Sequence, residues 1–221
     1  MNAPIDRLRA DMSKREVVSL PELPWVPSPA AGVDRRMLDR VGQEVARATS
    51  VVRYAPGSRF DAHEHALGEE FLVLEGTFAD EHGTYPEGTY VRNPPGSRHA
   101  PFTEEGCTIF VKLRQFAESD LERIVVSTRD AKFSPGQVPG LTVLPLHEHE
   151  GVSTALVRWA PGCHFVPHQH WGGEEILVLE GTFCDEHGQY PTGTWLRSPH
   201  RSQHDPFSTE GCLIYVKVGH L

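Results

Sequence analysis

His63-Glu64-His65-Ala66-Leu67-Gly68-Glu69 places two histidines one residue apart and a glutamate four residues after the second. The stretch belongs to a longer pattern, G-x5-H-x-H-x3-E-x6-G, followed by G-x5-P-x-G-x2-H, which ends at His99. The same ligand-type residues recur 105 positions later as His168, His170, Glu174 and His204. Three imidazoles and one carboxylate suit a divalent metal ion, so we predict one Zn, Fe, Mn or Ni ion per copy.

The repeat is wider than these ligand-type residues. Residues 53–112 align with 158–217 without a gap, and roughly three positions in five are identical. The offset of 105 also places Val33 opposite Val138 and Thr49 opposite Thr154. The chain is therefore predicted to contain two copies of one folding unit.

Short runs of β-branched and aromatic residues between glycines and prolines are typical of antiparallel β-structure. The chain has 20 Gly and 18 Pro. Strands are predicted at Thr49–Tyr54, Glu70–Leu74, Thr89–Arg92 and Thr108–Leu113, and at Thr154–Trp159, Glu175–Leu179, Thr194–Arg197 and Leu213–Val218. The run from Phe71 to Leu74 is apolar at every position, so this strand should be covered on both faces. The pattern favours an all-β chain of two small packed barrels.

Four segments are predicted along the chain. Residues 1–30, rich in proline and with a possible helix over 5–14, form an N-terminal arm that lies on the first barrel. The first barrel is expected at 31–115, a linker with entry strands at 116–136, and the second barrel at 137–221.

Composition excludes several classes of protein. The net charge of −9 and a pI near 5.8 disfavour a nucleic-acid or membrane-surface partner. No stretch of the sequence approaches the ~20 apolar residues of a membrane span, and the N-terminus has no apolar signal segment. A cytoplasmic location is therefore expected. The four cysteines form no C-x-x-C pair and are predicted to be buried free thiols.

The spacing identifies the candidate histidine ligands, but it does not decide which of two adjacent glutamates supplies the carboxylate. Two histidines at i and i+2 on a strand point to the same face, so each pair can offer two nitrogens to one ion. Glu69 is followed by Glu70, and Glu174 by Glu175. We assign Glu69 and Glu174 because each residue number is odd or even together with the numbers of its own histidine pair. The second glutamate of each pair remains the alternative.

The motifs resemble those of the cupin superfamily. In particular, the amino-acid sequences from Glu69 to Gly83 and from Tyr85 to His99 are similar to those of the ChrR-like cupins. The resemblance covers about residues 45–218, once per copy. It implies a bicupin, with two tandem double-stranded β-helix (jelly-roll) barrels. It also implies that the metal lies inside each barrel, bound by His63, His65, Glu69 and His99 or by His168, His170, Glu174 and His204.

Two departures from the family pattern bear on function. ChrR has a separate N-terminal zinc domain that binds a sigma factor, whereas the first 62 residues here contain no His and no Cys. In the second copy Arg201 stands where the first has Gly96, and His200 stands in place of Pro95. The turn before His204 must therefore be reshaped or tolerate a bulkier residue, and the two pockets are not expected to be equivalent.

Three functions fit these motifs. With Fe(II), Mn(II) or Ni(II), two open coordination positions would suit a dioxygenase acting on a small chelating molecule. With zinc, the same residues would serve a sensor, regulatory or structural protein. A Lewis-acidic ion would also suit an isomerase or lyase. A small-molecule ligand and a homodimer are the partners that the resemblance suggests. Five aromatic residues are assigned either to a pocket or to the core: Phe60, Phe102, Phe165, Trp171 and Phe207.

Overall fold

The computed structural model describes residues 6–43 and 45–221, which form β-strands and a single 3₁₀ turn at Leu20–Glu22. The strands up to residue 130 are β1 (Arg7–Leu8), β2 (Glu16–Ser19), β3 (Val26–Pro27), β4 (Val33–Gly42), β5 (Ala46–Tyr54), β6 (His63–His65), β7 (Glu69–Asp80), β8 (Gly83–Pro86), β9 (Thr89–Asn93), β10 (Ser97–His99), β11 (Cys107–Leu113) and β12 (Ile124–Ser127). The later strands are β13 (Ser134–Pro135), β14 (Leu141–His149), β15 (Val152–Trp159), β16 (Cys163–His164), β17 (His168–Gln169), β18 (Glu174–Asp185), β19 (Gly188–Pro191), β20 (Thr194–Ser198), β21 (Gln203–His204), β22 (Phe207–Ser208) and β23 (Cys212–Val218). The all-β prediction is confirmed, and every predicted strand is present.

Two compact units divide the chain. Of the described residues, the first unit contains 6–10 and 23–130, and the second contains 11–22 and 131–221. The main sheet of the first unit has the order β1-β4-β5-β11-β7-β9-β12, and that of the second has β13-β14-β15-β23-β18-β20-β2. The central strands correspond one to one, as expected of a duplicated unit.

The predicted N-terminal arm at 1–30 is divided between the two units. Residues 1–5 lie outside the described residues. The helix predicted over 5–14 is wrong for its described part, because Arg7 and Leu8 pair with Val41 and Arg40 at a sheet edge. The segment 11–22 belongs to the second unit, where β2 pairs with β20.

A strand repeat explains this division. Arg15-Glu16-Val17-Val18-Ser19 and Arg123-Ile124-Val125-Val126-Ser127 share the pattern R-x-V-V-S. Val17 lies opposite Leu196, and Val125 lies opposite Val91, which is the equivalent position. The strand that precedes the first repeat therefore completes the sheet of the second unit. The strand in the predicted linker at 116–136 completes the sheet of the first.

The structure corrects the alignment upstream of the repeat. Val33 pairs with Tyr54 in the first unit, and Leu141 pairs with Trp159 in the second. Since Tyr54 and Trp159 are equivalent, Val33 corresponds to Leu141 and not to Val138. The reason is that the β4–β5 hairpin is three residues longer than the β14–β15 hairpin, with one additional residue in each strand and one in the loop.

The apolar cores lie between the sheets of each unit. Phe71, Val73 and Phe78 pack in the first core, and Ile176, Val178 and Phe183 pack in the second. Burying each such side chain contributes about 1.5–3 kcal/mol. The prediction that the run from Phe71 to Leu74 is covered on both faces is confirmed for Phe71, Leu72 and Val73, each at most 3% exposed, whereas Leu74 is only partly buried.

Gly76 in β7 marks a close backbone approach within the first unit. Its φ is +71°, a conformation that favours glycine, and an added Cβ would overlap the carbonyl oxygen of Gly106. Gly181 has the same relation to Gly211 in the second unit. Within residues 6–43 and 45–221, no helix has the length and apolar character needed to cross a membrane.

Candidate metal centres

In the first unit, a short hairpin brings three histidines together. β6 pairs with β10 so that His63 lies opposite His99. The Nε2 atoms of His65 and His99 are 2.9 Å apart, and Glu69 Oε2, at the start of β7, lies 3.5 Å from each of them. Ligand-type atoms of the three histidines lie within 4.8 Å of one another. The structure thus gathers the four residues that the spacing singled out.

The second unit repeats the arrangement with all four ligand-type atoms within 4.8 Å of one another. His168 lies opposite His204 in the β17–β21 pair. His168 and His170 have their Nε2 atoms 3.2 Å apart. Glu174 Oε2 lies 3.4 Å from His170 Nε2 and 3.7 Å from His204 Nε2.

Hydrogen bonds on the far side of the rings fix which nitrogen carries the proton. Nδ1 of His63 lies 3.0 Å from the carbonyl oxygen of Asp61, and Nδ1 of His168 lies 3.0 Å from that of Val166. A carbonyl can only accept, so Nδ1 donates and Nε2 keeps its lone pair. Lone pairs that face each other repel unless a cation lies between them. This chemistry fits a metal ion bound through the Nε2 atoms.

The buried atoms of the second site support the same fit. Among the described residues, Glu174 Oε2 and His204 Nε2 are buried and have no hydrogen-bond partner. Burying such atoms without a partner costs about 1–3 kcal/mol each. A divalent ion would satisfy both.

The structure separates the two adjacent glutamates of each copy. Glu70 accepts a hydrogen bond of 2.6 Å from the Tyr90 hydroxyl and lies 3.8 Å from Arg92 Nε. Glu175 accepts one of 2.8 Å from the indole N–H of Trp195. Successive residues of a strand point to opposite faces, so only Glu69 and Glu174 face the histidines.

An aspartate supports one histidine in each site. Asp80 Oδ2 lies 3.1 Å from His99 Nδ1 in the first unit. Asp185 Oδ2 lies 3.7 Å from His204 Nδ1 in the second. Each carboxylate accepts a hydrogen bond from a tyrosine hydroxyl, Tyr85 at 2.9 Å and Tyr190 at 2.7 Å. None of these four residues was predicted from the sequence, although both aspartates begin the repeated run Asp-Glu-His-Gly.

Burial sets the protonation of the second site. Burial, with the neighbouring histidines, lowers the pKa of His170 to about 3, and burial also lowers the pKa of His168. Burial raises the pKa of Glu174 to about 7, against the opposing effect of His204. Without an ion, the site therefore favours neutral groups. His168 and His170 keep the unprotonated rings that bind metals at neutral pH.

The two histidines of the first site respond differently. Burial lowers the pKa of His65, and the nearby charge of Glu69 only partly offsets this effect. Burial also opposes the charged form of His99, but the carboxylates of Asp80 and Glu69 outweigh it and raise the pKa. Asp80 therefore supplies negative charge behind His99, as outer carboxylates do at histidine metal ligands.

The turn before His204 keeps its shape and tolerates the bulkier residue. Arg201 has a φ of +64°, close to the +80° of Gly96. Arg201 N donates to His170 O at 2.8 Å, just as Gly96 N donates to His65 O at 2.9 Å. The guanidinium of Arg201 lies over the Trp171 ring, 5.4 Å from its centroid. This contact partly offsets the cost of a left-handed arginine.

Each site opens into a cavity of its own unit. The first cavity has a volume of about 310 Å³, and His63, His65 and Glu69 line it. The second has a volume of about 480 Å³, and His168, Glu174 and His204 line it. Of the five aromatic residues assigned to a pocket or the core, Phe60 lines the first cavity and Phe165 the second. Trp171 is 64% exposed.

The family model of the ChrR Cupin-like domain matches residues 13–117 and, a second time, residues 121–221. The chain belongs to the ChrR-like cupins. Each match begins just before an R-x-V-V-S strand, so each copy of the cupin domain contributes its first strand to the other unit's sheet. The predicted bicupin fold is confirmed. No curated protein matches this cupin in sequence.

Solved structures share the fold at low identity. A provisionally assigned dioxygenase from Nostoc punctiforme has a TM-score of 0.79 and 15% identity, over 93% of this cupin and 82% of that chain. Bacterial pirin YhhW from Escherichia coli, in complex with nickel(II), has a TM-score of 0.67 and 13% identity, over 93% and 98%. Bacillus subtilis oxalate decarboxylase, which has Mn(II) centres, has a TM-score of 0.57 and 15% identity, over 92% and 76%. At these identities the likeness shows the fold.

Proposed function

We propose that this cupin is a metal-dependent enzyme that acts on a small chelating molecule, as a dioxygenase. The observation that carries the proposal is the position of the ligand-type residues in the wall of an internal cavity. His168, Glu174 and His204 line a space of about 480 Å³, whereas a purely structural metal site is closed by its own ligands.

Three imidazoles and one carboxylate suit Fe(II), Mn(II) or Ni(II), and we infer one ion per unit. Held by these four residues, such an ion would supply Lewis-acid and redox chemistry for a reaction between O2 and a small chelating molecule. The Mn(II) and nickel(II) of the two fold neighbours support a transition metal rather than calcium or magnesium.

The chain's own residues would orient the substrate and exclude water. Val143, Ile176 and Ile214 give the second cavity an apolar wall that favours the hydrocarbon part of a ligand. Trp159 and Phe183 pack edge to face at 5.6 Å in that wall and hold its shape. Asp185 would keep His204 in the orientation in which Nε2 points to the ion.

The test is metal analysis followed by oxygen uptake. The full chain, reconstituted with Fe(II) without oxygen, should bind two equivalents, and His63→Ala and His168→Ala should each lose one. Addition of 2,4-pentanedione, a chelating diketone, should then consume oxygen and the diketone one to one, and zinc-loaded protein is the inactive control.

Two results would contradict the proposal in different ways. Protein that binds no metal under any condition would exclude the metal centres. Protein that holds two ions and binds diketones without consuming oxygen would exclude the dioxygenase and favour a metal-dependent sensor.

A further inference from the structure

The two cavities differ in charge at one equivalent position of the wall. Arg35 on β4 lies opposite Val52, and Val143 on β14 lies opposite Val157. Since Val52 and Val157 are equivalent in the repeat, Arg35 and Val143 are equivalent too. Both side chains line their cavity, so a guanidinium in the first unit stands where the second has an isopropyl group.

Other charged residues follow the same division. Arg114 and Glu64 also line the first cavity. Among the described residues of the second cavity, Glu174 is the only carboxylate, and no arginine or lysine is present. Counted over the described lining residues alone, with neutral histidines and a divalent ion in each site, the first wall would carry about two net positive charges and the second about one. A low-dielectric cavity strengthens such a difference.

A second polar group distinguishes the first cavity. Tyr54 lines it, and the equivalent residue of the second cavity is Trp159. A tyrosine hydroxyl is protonated at neutral pH and can donate a hydrogen bond. Arg35 and Tyr54 are thus a cationic and a neutral donor in the wall that also presents the histidines.

We propose that the first cavity binds a small organic carboxylate, held by Arg35 beside the metal ion, while the second takes an uncharged ligand. This rests on the proposed metal centres and assigns their ligand classes. An arginine fork matches a carboxylate in geometry and charge. A volume of about 310 Å³ limits the acid to a few carbon atoms.

The second cavity has no cationic side chain in its described wall that would favour the acid over an uncharged ligand. Val143 replaces the arginine there, and the Gln137 amide and Trp159 indole are neutral donors that do not select an anion. The chain thus carries one metal motif twice with two ligand preferences, and the differing residues lie outside the metal motif itself.

The test compares two ligands of the same shape and different charge, 2-oxobutanoate and 2-oxobutanamide. Both are titrated by calorimetry into zinc-loaded full-length chain, which does not turn them over. His168→Ala leaves only the first site loaded, and His63→Ala leaves only the second. We expect the first site to prefer the acid roughly ten- to hundredfold and the second to show no such preference.

Reciprocal substitutions locate the effect. Arg35→Val should abolish the preference at the first site, and Arg35→Lys should keep part of it. Val143→Arg should create the preference at the second site. Because Arg35→Val could impair folding, Arg35→Lys and Val143→Arg provide independent tests.

Zinc content is measured on every sample. Equal binding of acid and amide at a zinc-loaded first site would overturn this inference and leave the metal centres intact. An unchanged preference in zinc-loaded, folded Arg35→Val would overturn it as well. Loss of zinc from the parent chain would instead contradict the proposed metal centres.

Discussion

Arg15 Nη2 donates a hydrogen bond of 2.6 Å to the hydroxyl of Tyr190, which lies 175 residues further along the chain. The same nitrogen lies 3.1 Å from Asp185 Oδ2. In the first unit, Arg123 Nη2 donates to the Tyr85 hydroxyl at 2.8 Å. The segment before each exchanged strand therefore brings an arginine to the tyrosine that bonds the aspartate behind a site histidine.

Asp80→Asn should weaken metal binding at the first site by roughly ten- to hundredfold, since an amide neither carries the charge nor fixes the ring of His99. Asp185→Asn should have a smaller effect at the second site, because its contact with His204 is 3.7 Å rather than 3.1 Å. Competition with a chelator, in single-site backgrounds, measures both affinities. Equal losses from the two substitutions would contradict the importance of this distance.

Arg15→Ala should make the second unit more sensitive to acid. Burial opposes ionisation of Asp185, but the nearby ring of His204, the hydrogen bond from Tyr190 and the charge of Arg15 hold its pKa well below the usual range. A lowered carboxyl pKa stabilises the fold above pH ~4, and this contribution is lost as the pH falls through the folded-state value. Without Arg15 the acid unfolding midpoint should rise by about half a pH unit.

Circular dichroism during acid titration checks this expectation. Arg59→Ala is the matched control, because Arg59 forms an exposed pair with Glu104. An equal shift for both variants would mean that net charge, and not the Asp185 contact, sets the midpoint.

Glu69→Gln and Glu70→Gln should separate metal binding from stability. Glu69→Gln should remove the metal from the first site with little loss of stability. Glu70→Gln should keep the metal but cost about 3 kcal/mol, because it removes a buried negative charge beside Arg92. Metal content and urea unfolding measure the two effects, and loss of metal in Glu70→Gln would revive the alternative assignment.

The repeat made the ligand-type residues predictable because both copies keep the same spacing within one gapless stretch. The odd or even residue numbers favoured Glu69 over Glu70. Only the contacts of Glu70 with Tyr90 and Arg92 show why its carboxylate points away from the histidines. Since both faces of β7 are buried, polarity alone could not distinguish them.

Upstream of the repeat, prediction failed for two physical reasons. The β4–β5 hairpin is longer than the β14–β15 hairpin, so the offset of 105 places Val33 opposite the wrong residue and hides the equivalence of Arg35 and Val143. The pattern R-x-V-V-S at 15–19 and 123–127 was available as a signal. Its meaning depends on pairing between distant segments, which no local pattern encodes.

The cysteines should be unreactive in the folded protein. All four are buried free thiols, as predicted, and burial raises the pKa of Cys107 and of Cys212 to about 11. The thiolate is the nucleophile, so iodoacetamide at pH 8 should label none of them within minutes. Mass spectrometry should show four labels after denaturation, and rapid labelling of native protein would contradict the burial.

Gly76→Ala should destabilise the first unit by about 2–4 kcal/mol, because the methyl group would overlap the Gly106 carbonyl and the backbone is left-handed. Gly57→Ala is the control, since Gly57 has a φ of +75° with nothing within 4 Å of an added Cβ. This control should cost only about 1 kcal/mol. Equilibrium urea unfolding gives the difference, and equal losses would exclude the overlap as its cause.

The placement of β2 has a consequence for synthesis of the chain. Residues 16–19 leave the ribosome long before residues 194–197, with which they pair. Strand β2 must therefore wait without its partner until β20 has been synthesised. A chain that stops before Thr194 would expose a valine-rich strand without its partner, and such strands promote association between nascent chains. The sheet of the second unit can therefore be completed only when this early segment joins strands that are synthesised after the whole first unit.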